Sequence, residues 1–345
     1  MDTLVDDVGS FPLPSRVSRE VFDKAYVQAR KAIAAGKNIR KNEFLLNNFC
    51  SVVADSFRMK CAAGLDVVSY PQHYDMHKQI TDIIAEAMDK GTYEVREEDA
   101  ILPEVRVIEE EGKDFLEDFG KKVSLRVCIA GPFELYLKLV GTVAHRDVLM
   151  MFAETVRRFA SNSVLNSKYV KTEVVSLDEP SFGFQDVSAE RDLIADVFEK
   201  AFDFPDVTKQ IHLHSSSRIA DVLKVRNLDV VSFEFGASPK NIESVPRRIL
   251  DEADKHVRVG ITRTDIDAIS AELHDKGITQ LEPDKIVERV GTIQKRFAAA
   301  KEKFGDRMTF TGPDCGLGGW PSQESAQLLL KRTVDAVKGA KIDSE

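Results

Sequence analysis

The sequence predicts an α/β fold: a closed (β/α)8 barrel, or TIM barrel, with extra helical insertions near its N-terminus. Short β-branched runs alternate with longer amphipathic segments along the whole chain, and there are eight such runs. This alternation is typical of a parallel sheet whose strands are joined by helices, and eight units close into a barrel of roughly 250 residues. No Gly-rich phosphate fingerprint follows the first run, which disfavours a doubly wound sheet.

The predicted elements can be placed in chain order. The β-branched runs predict strands at 4–9, 66–69, 123–130, 173–177, 210–214, 230–234, 257–261 and 308–311. Apolar residues near helical spacing predict helices at 44–63, 147–169, 189–202, 241–255, 283–304 and 322–338. The charged segments 17–41 and 78–122 are expected to be helical additions packed around the barrel. Because no repeat or Pro/Ser-rich linker marks a boundary, residues 1–345 are expected to form a single domain.

Composition excludes several classes of protein. Hydrophobic residues make up 43% and charged residues 30%, as is ordinary for a globular protein, and the net charge of −9 argues against nonspecific nucleic-acid binding. No apolar run of about 18 residues occurs, and the first residues lack the features of a signal peptide. We therefore expect a cytoplasmic protein without a membrane or nucleic-acid partner. The four cysteines have no CxxC or zinc-finger spacing, so no disulfide framework is indicated.

Three predicted strand ends each carry a side chain that binds metals. His214 ends the fifth strand, Glu234 ends the sixth, and Cys315 follows the eighth. The C-terminal ends of barrel strands open onto one face, so these residues are expected to meet there. Imidazole, carboxylate and thiolate are all zinc ligands, and three protein ligands leave one position for a substrate. The sequence therefore predicts an open zinc site, which could lower the pKa of a bound thiol.

Two further phrases lie at predicted strand ends. Asp178 and Glu179 form a carboxylate pair after the fourth strand, and they serve either the site or a structural cap or salt bridge. Ser10, in the phrase Val-Gly-Ser-Phe-Pro, either contacts a substrate carboxylate or occupies a turn.

With these residues the chain resembles the cobalamin-independent methionine synthase family, specifically its C-terminal catalytic barrel. The motifs occur in the family's order: Val-Gly-Ser-Phe-Pro at 8–12, Asp-Glu-Pro at 178–180, Ile-His-x-His at 211–214, Ser-x-Glu at 232–234 and Pro-Asp-Cys-Gly at 313–316. The resemblance covers nearly the whole chain, whose size is similar to that of the short core members. It implies a (β/α)8 barrel in which zinc activates homocysteine for methyl transfer, and so a role in methionine biosynthesis.

The resemblance also implies a ligand set, with one departure. His214, Glu234 and Cys315 match zinc ligands of the family, but Ser216 stands where the family has a fourth ligand, a cysteine. Serine is a poor zinc ligand, so water or substrate is expected in that position. His212 is the less favoured alternative: alternate strand residues share a face, but the family's first histidine of this phrase is not a ligand. No catalytic residue is expected beyond the metal site.

The residues expected to bind substrate only partly match the family. The acid that holds the amino group of homocysteine corresponds to Tyr70, whereas its partner acid, Asp178, and the serine at Ser10 are retained. The family's proton-donor histidine has no counterpart after the seventh strand. Arg263 lies there instead, and it suits a carboxylate, phosphate or sulfonate.

These observations lead to one principal hypothesis and two alternatives. The principal one is a zinc-dependent thiol methyltransferase, with homocysteine as acceptor by resemblance and a methylated corrinoid, free or on a corrinoid protein, as donor. The first alternative changes the acceptor to a thiol with an anionic tail, such as coenzyme M, because the family's acid is lost at Tyr70 and a cation is gained at Arg263. The second is a non-catalytic accessory barrel, for which Ser216 is the main support.

Overall fold

The protein is described by a computed structural model that covers residues 2–205 and 207–339. Its strands are β1 (Leu4–Val5), β2 (Val68–Ser69), β3 (Val123–Ala130), β4 (Val170–Asp178), β5 (Thr208–Leu213), β6 (Val230–Glu234), β7 (His256–Thr262) and β8 (Met308–Pro313). They form one parallel sheet in the order β1-β8-β7-β6-β5-β4-β3-β2. An isolated parallel bridge between Asp6 and Val67 joins β1 to β2. The predicted (β/α)8 barrel is confirmed.

Helices surround the sheet. They are α1 (Arg19–Ala34), α2 (Glu43–Leu45), α3 (Ser51–Ala62), α4 (Lys78–Met88), α5 (Pro103–Phe119), α6 (Pro132–Leu139), α7 (Arg146–Asn162), α8 (Arg191–Ala201), α9 (Ile219–Val222), α10 (Lys240–Glu243), α11 (Arg247–Ala253), α12 (Ile266–Asp275), α13 (Pro283–Ile286), α14 (Val290–Phe304) and α15 (Gln323–Lys338). A π-helical turn at Leu46–Cys50 joins α2 to α3 in one continuous run. Short 3-10 turns occupy Ile39–Lys41, Glu97–Asp99 and Gly305–Arg307.

Two predicted helices are divided in the structure. The segment 241–255 forms α10 and α11, because Pro246 disfavours a helical conformation at the residue before it. The segment 283–304 forms α13 and α14, and the break between them places the Glu288 carboxylate against the Arg296 guanidinium, 2.6 Å away.

The N-terminal insertions are helical, as predicted. The first contains α1, and Ser18 is the N-cap residue of this helix. The Ser18 side chain accepts a hydrogen bond from the Val21 amide. The second contains α4 and α5, and Gly120 ends α5 in a left-handed conformation that suits glycine. The buried face of α1 carries Phe22, Ala25, Tyr26 and Ala29, which pack into the main hydrophobic core.

The interior of the barrel holds charged residues that sequence reasoning missed. Asp6, Arg126 and Arg258 are all fully buried, and we call them the core ion cluster. Asp6 Oδ2 accepts a hydrogen bond from Arg126 Nη1 (2.5 Å), and Asp6 Oδ1 accepts one from Arg258 Nε (2.6 Å). Burying a charge is costly unless it is paired and hydrogen-bonded, as these three charges are.

Among the residues that the structure describes, no helix is both long and apolar enough to cross a membrane.

Candidate metal centre

Three strand ends bring four potential metal ligands together at the mouth of the barrel. These are His212 and His214 from β5, Glu234 from β6, and Cys315 after β8, and we call them the mouth cluster. His212, His214 and Cys315 each offer one donor atom within 4.8 Å of the other two. His214 Nε2 lies 3.4 Å from Cys315 Sγ and 3.6 Å from Glu234 Oε1. The structure thus places the predicted His214, Glu234 and Cys315 side by side.

Asp314 shapes the loop that carries Cys315. Its buried carboxylate accepts hydrogen bonds from the backbone amides of residues 235–237, at 3.2, 2.9 and 2.6 Å. A Cβ atom on Gly236 would lie only 2.7 Å from Asp314 Oδ2, so a larger residue would prevent this approach. The contact fixes the end of β6 against the end of β8, and therefore Glu234 near Cys315.

Asn241 fixes the other side of the cluster. Its Nδ2 donates hydrogen bonds to the carbonyl oxygens of His214 (2.8 Å) and Glu234 (3.0 Å). Its Oδ1 accepts a hydrogen bond from the Ser216 hydroxyl at 3.1 Å. Asn241 thereby joins the ends of β5 and β6, and it engages Ser216 in the loop rather than at the metal centre. Sequence reasoning missed Asn241, because nothing local distinguishes it from a surface amide.

The imidazole of His212 has one partner and one unpaired nitrogen. Its Nδ1 lies 3.0 Å from Ser232 Oγ, while Nε2 is buried and has no hydrogen-bond partner among the described residues. Burial, and then the neighbouring His214 and the two buried arginines, lower the pKa of His212 well below its usual range, so the ring is neutral. A neutral, unpaired imidazole nitrogen beside a thiol and a second histidine is a typical metal-binding arrangement.

The electrostatics of the cluster favour a bound cation. Burial, and then Asp314 and Asp265, raise the pKa of Glu234 to about 8, and burial together with Glu234 raises the pKa of the Cys315 thiol to about 12. Burial lowers the pKa of His214. Without a cation these groups are therefore neutral, whereas a divalent cation stabilises carboxylate and thiolate. The donor set fits zinc, which accepts nitrogen, sulfur and oxygen ligands.

Two residues expected to bind substrate lie near the mouth. The half-buried Ser10 accepts a hydrogen bond from the Gly318 amide at 3.0 Å, and it lines a cavity of about 420 Å³ together with Arg19 and Gln72. The buried Asp178 ends β4 and accepts a hydrogen bond from Ser176 Oγ at 2.8 Å. Burial raises the pKa of Asp178 to about 6, so its carboxyl is mostly ionised at neutral pH.

Tyr70 is part of the packed barrel wall. It is fully buried, its hydroxyl donates a hydrogen bond to the Cys128 carbonyl at 2.7 Å, and Gln72 Nε2 donates to that hydroxyl at 2.9 Å. Gln72 lines the cavity beside Ser10, whereas Tyr70 is not among the residues that line it. The expected contact between Tyr70 and a substrate therefore has no support in its surroundings.

Arg263 is also engaged within the protein. Its Nη2 lies 2.8 Å from both Asp265 Oδ2 and Glu272 Oε1, and Nε donates to Asp265 as well. Two carboxylates thus neutralise this guanidinium. These contacts argue against the expected role of Arg263 in binding an anionic substrate.

Glu179 has the structural role that sequence reasoning left open. Its carboxylate accepts hydrogen bonds from the Phe133 (2.9 Å) and Glu134 (2.7 Å) amides at the start of α6. Glu134 in turn lies 2.9 Å from the imidazole of His77, a pair that the sequence did not reveal.

Comparison with known proteins gives structural matches alone. No protein-family model matches the chain, and no curated protein matches its sequence. A B12-independent methionine synthase from a Shewanella species, solved with selenomethionine, is 13% identical, with a TM-score of 0.60 over 98% of this chain and 97% of that one. A methyltransferase from Methanosarcina mazei is 14% identical, with a TM-score of 0.56 over 98% of this chain and 94% of that one.

A Listeria monocytogenes protein provisionally assigned as a vitamin-B12-independent methionine synthase is 15% identical, with a TM-score of 0.55 over 100% of this chain and 99% of that one. This chain shares their fold. The resemblance inferred from the motifs is thus confirmed at the level of the fold.

Proposed function

We propose that this protein is a zinc-dependent thiol S-methyltransferase similar to the short core form of the cobalamin-independent methionine synthases. The observation that carries the proposal is the convergence of His214, Glu234 and Cys315, from three separate strand ends, at the mouth of the barrel. The names of two proteins with this fold, a methionine synthase and a methyltransferase, support the same reaction class.

His214, Glu234 and Cys315 would hold the zinc. When bound there, zinc supplies a lowered pKa for the acceptor thiol, so that the sulfur is a thiolate at neutral pH. Asn241 and Asp314 keep the three ligands at one place by tying together the strand ends that carry them. The protein's contribution is therefore a preorganised position for the acceptor sulfur.

Asp178 and Ser10 would orient the acceptor. The Asp178 carboxylate suits the ammonium group of homocysteine, and the backbone or hydroxyl of Ser10 suits its carboxylate. The sulfur then attacks the methyl carbon in line. A carbon–sulfur bond forms, and the electron pair of the broken methyl bond stays with the donor.

A methylated corrinoid, free or carried on a protein, is the donor that we propose. The end of β7 and the residues that follow it, 260–265, contain no histidine to protonate a leaving nitrogen, as the folate donor would require. A corrinoid leaves without needing a proton, because cobalt retains the electron pair.

The two alternatives have less support. The anionic-tail acceptor rested on the loss of the acid at Tyr70 and on Arg263, and two carboxylates already engage Arg263. The accessory barrel rested on Ser216, and the convergence of the three predicted ligands counts against it.

The test is methyl transfer by zinc-loaded protein. Homocysteine and methylcobalamin, supplied together, are expected to yield methionine, detected by mass spectrometry. Cys315→Ser is expected to abolish the methionine formation that depends on zinc. Coenzyme M in place of homocysteine is expected to react poorly. If neither methylcobalamin nor a methylated corrinoid protein gives a methylated thiol with the zinc-loaded protein, the proposal is wrong.

A further inference from the structure

We infer that His212 is a direct metal ligand through Nε2, and that a buried chain formed by Asp6, Arg258 and Ser232 orients it. The inference rests on the proposed metal site and deepens it, since it assigns the position that Ser216 leaves open. It changes the ligand set from one imidazole to two, and it connects the metal centre to the core ion cluster.

The first argument is the unpaired nitrogen. His212 is 1% exposed, and among the described residues no group pairs with its Nε2. An unsatisfied buried polar atom destabilises a fold, and most such atoms in native proteins find a partner. Here one ring nitrogen of His212 lies within 4.8 Å of donor atoms from His214 and Cys315. A cation among these atoms satisfies all of them at once.

The second argument is the engagement of Ser216. Its hydroxyl donates to Asn241 Oδ1 at 3.1 Å, and its amide donates to the same oxygen at 3.2 Å. Turning this hydroxyl toward the metal would break its hydrogen bond to Asn241 and its contact with Ser244 Oγ. Serine is also a weak zinc ligand when neutral. Ser216 is therefore excluded from the ligand set on both geometry and chemistry.

The third argument is the tautomer of His212. Arg258 Nε donates to Asp6 Oδ1 at 2.6 Å, and Arg258 Nη1 donates to Ser232 Oγ at 3.4 Å. His212 Nδ1 lies 3.0 Å from the same serine oxygen, which has a second lone pair, and in the inferred site this oxygen accepts the Nδ1 proton. With its proton on Nδ1, the imidazole directs the Nε2 lone pair at the metal. Ligating histidines usually have such an outer partner, which sets the tautomer and the ring orientation.

The consequence is a site with two neutral imidazoles, one thiolate and one carboxylate. Its two anionic ligands balance the charge of a zinc ion, so the resting site is neutral. An acceptor thiolate would then enter as a fifth ligand or in exchange for one of the four. Arg258 and Ser232 are positioning residues in this scheme, because they act on the metal through His212 alone.

X-ray absorption spectroscopy of the zinc-loaded wild-type protein tests the ligand set without any substitution. The expected first shell contains two imidazoles and one sulfur, together with oxygen. A shell with a single imidazole overturns the inference, as does a wild-type protein that binds no zinc.

Zinc affinity in matched variants tests the individual residues. His212→Gln is expected to lower the affinity by more than the roughly 10–100-fold typical of an outer-shell change, and Ser232→Ala is expected to fall within that range. Ser216→Ala, the matched control from the neighbouring loop, is expected to keep wild-type affinity. Circular dichroism establishes that each variant is folded. Wild-type affinity in a folded His212→Gln variant overturns the inference, and so does a loss in Ser216→Ala as large as in His212→Gln.

These results are separable from the proposed reaction. A two-imidazole site in a protein that transfers no methyl group would refute the function and retain the ligand assignment. Methyl transfer by a protein with one imidazole in the zinc shell would support the function and refute the ligand assignment.

Discussion

The barrel contains two buried polar clusters that are built in opposite ways. In the core ion cluster, Asp6 uses both carboxylate oxygens, one for Arg126 and one for Arg258. In the mouth cluster, His212 has a buried nitrogen without a partner in the part of the chain that the structure describes, and burial raises the pKa of Glu234 to about 8. One cluster is satisfied by the protein itself. The other reaches its charged state only with a cation from outside.

This difference indicates what each cluster does. Paired buried charges stabilise one arrangement of a fold, and removing one partner leaves an uncompensated charge. Unpaired donors at the carboxyl ends of barrel strands lie where barrel enzymes bind their ligands. The predictions below test this contrast.

The largest effect is expected from Asp6→Asn. It would leave Arg126 and Arg258 without a buried anion, so the free energy of unfolding is expected to fall by about 3–5 kcal/mol. Urea denaturation followed by circular dichroism measures it. Asp55→Asn is the control, because Asp55 pairs with Arg16 on the surface with 58% of its side chain exposed, and such pairs contribute about 1 kcal/mol or less. Equal losses in the two variants would remove the distinction between the clusters.

Glu104 tests whether an unpaired buried group always marks a ligand site. It is fully buried, Gln79 donates to one oxygen at 3.2 Å, and the other oxygen has no partner among the described residues. Burial raises its pKa to about 8 from the ordinary value of 4.5. The protonated carboxyl is therefore favoured in the folded state. Its contribution to stability is fully present below pH 4.5 and is lost as the pH rises through about 8.

Glu104→Gln removes this titration. At pH 9 the variant is expected to be more stable than the wild type by roughly 3 kcal/mol, and the difference should shrink steadily toward pH 5. Denaturation across this pH range measures it. Glu117→Gln, on the exposed side of the same helix, is expected to show no such trend. A constant difference between Glu104→Gln and wild type at all pH values would contradict the burial argument.

Zinc is expected to stabilise the protein through the mouth cluster. At a free zinc concentration one hundred times Kd, linkage predicts a gain of about 2.7 kcal/mol, seen as a higher Tm. Cys315→Ser is expected to abolish most of that gain and to change the metal-free Tm little. Cys61→Ala, at a thiol outside the cluster, should keep the gain. If Cys315→Ser retains the full zinc-dependent shift, Cys315 is not a ligand.

The smallest effect is expected from Arg263→Ala. Because Asp265 and Glu272 already pair with this guanidinium, its removal should change the binding of homocysteine, coenzyme M and mercaptoethanol by no more than about twofold. Isothermal titration of the zinc-loaded protein with each thiol measures it. A selective loss for coenzyme M would restore the anionic-tail hypothesis.

The bounds of a strand could be predicted from the sequence where the whole β-branched run pairs with neighbouring strands. β3 and β6 begin and end where the sequence predicts. β1 and β2 are only two residues long, although runs of six and four residues predicted them, because only two residues of each run pair continuously with a neighbouring strand. Strand pairing is a tertiary property that local composition does not encode.

The convergence of His214, Glu234 and Cys315 followed from topology, because the strand ends of a barrel share one face. The orientation of Ser216 and Arg263 did not, since it depends on partners at Asn241 and Glu272. The core ion cluster was missed because Asp6 lies 120 residues from one arginine and 252 from the other. Neither arginine is distinguishable in sequence from a surface residue.

The closure between β1 and β2 has a dynamic consequence. One bridge with two backbone hydrogen bonds to the Val5 carbonyl joins these strands, together with side-chain hydrogen bonds of Asp66 and Asp7, whereas β3 and β4 pair along their whole length. Local opening requires the least free energy where the fewest backbone bonds must break, so amide hydrogens at this seam should exchange with solvent before those of β3. The segment that opens leads directly to Ser10. Local opening of this seam would therefore move Ser10, the residue proposed to bind the acceptor, while the metal ligands stay in place.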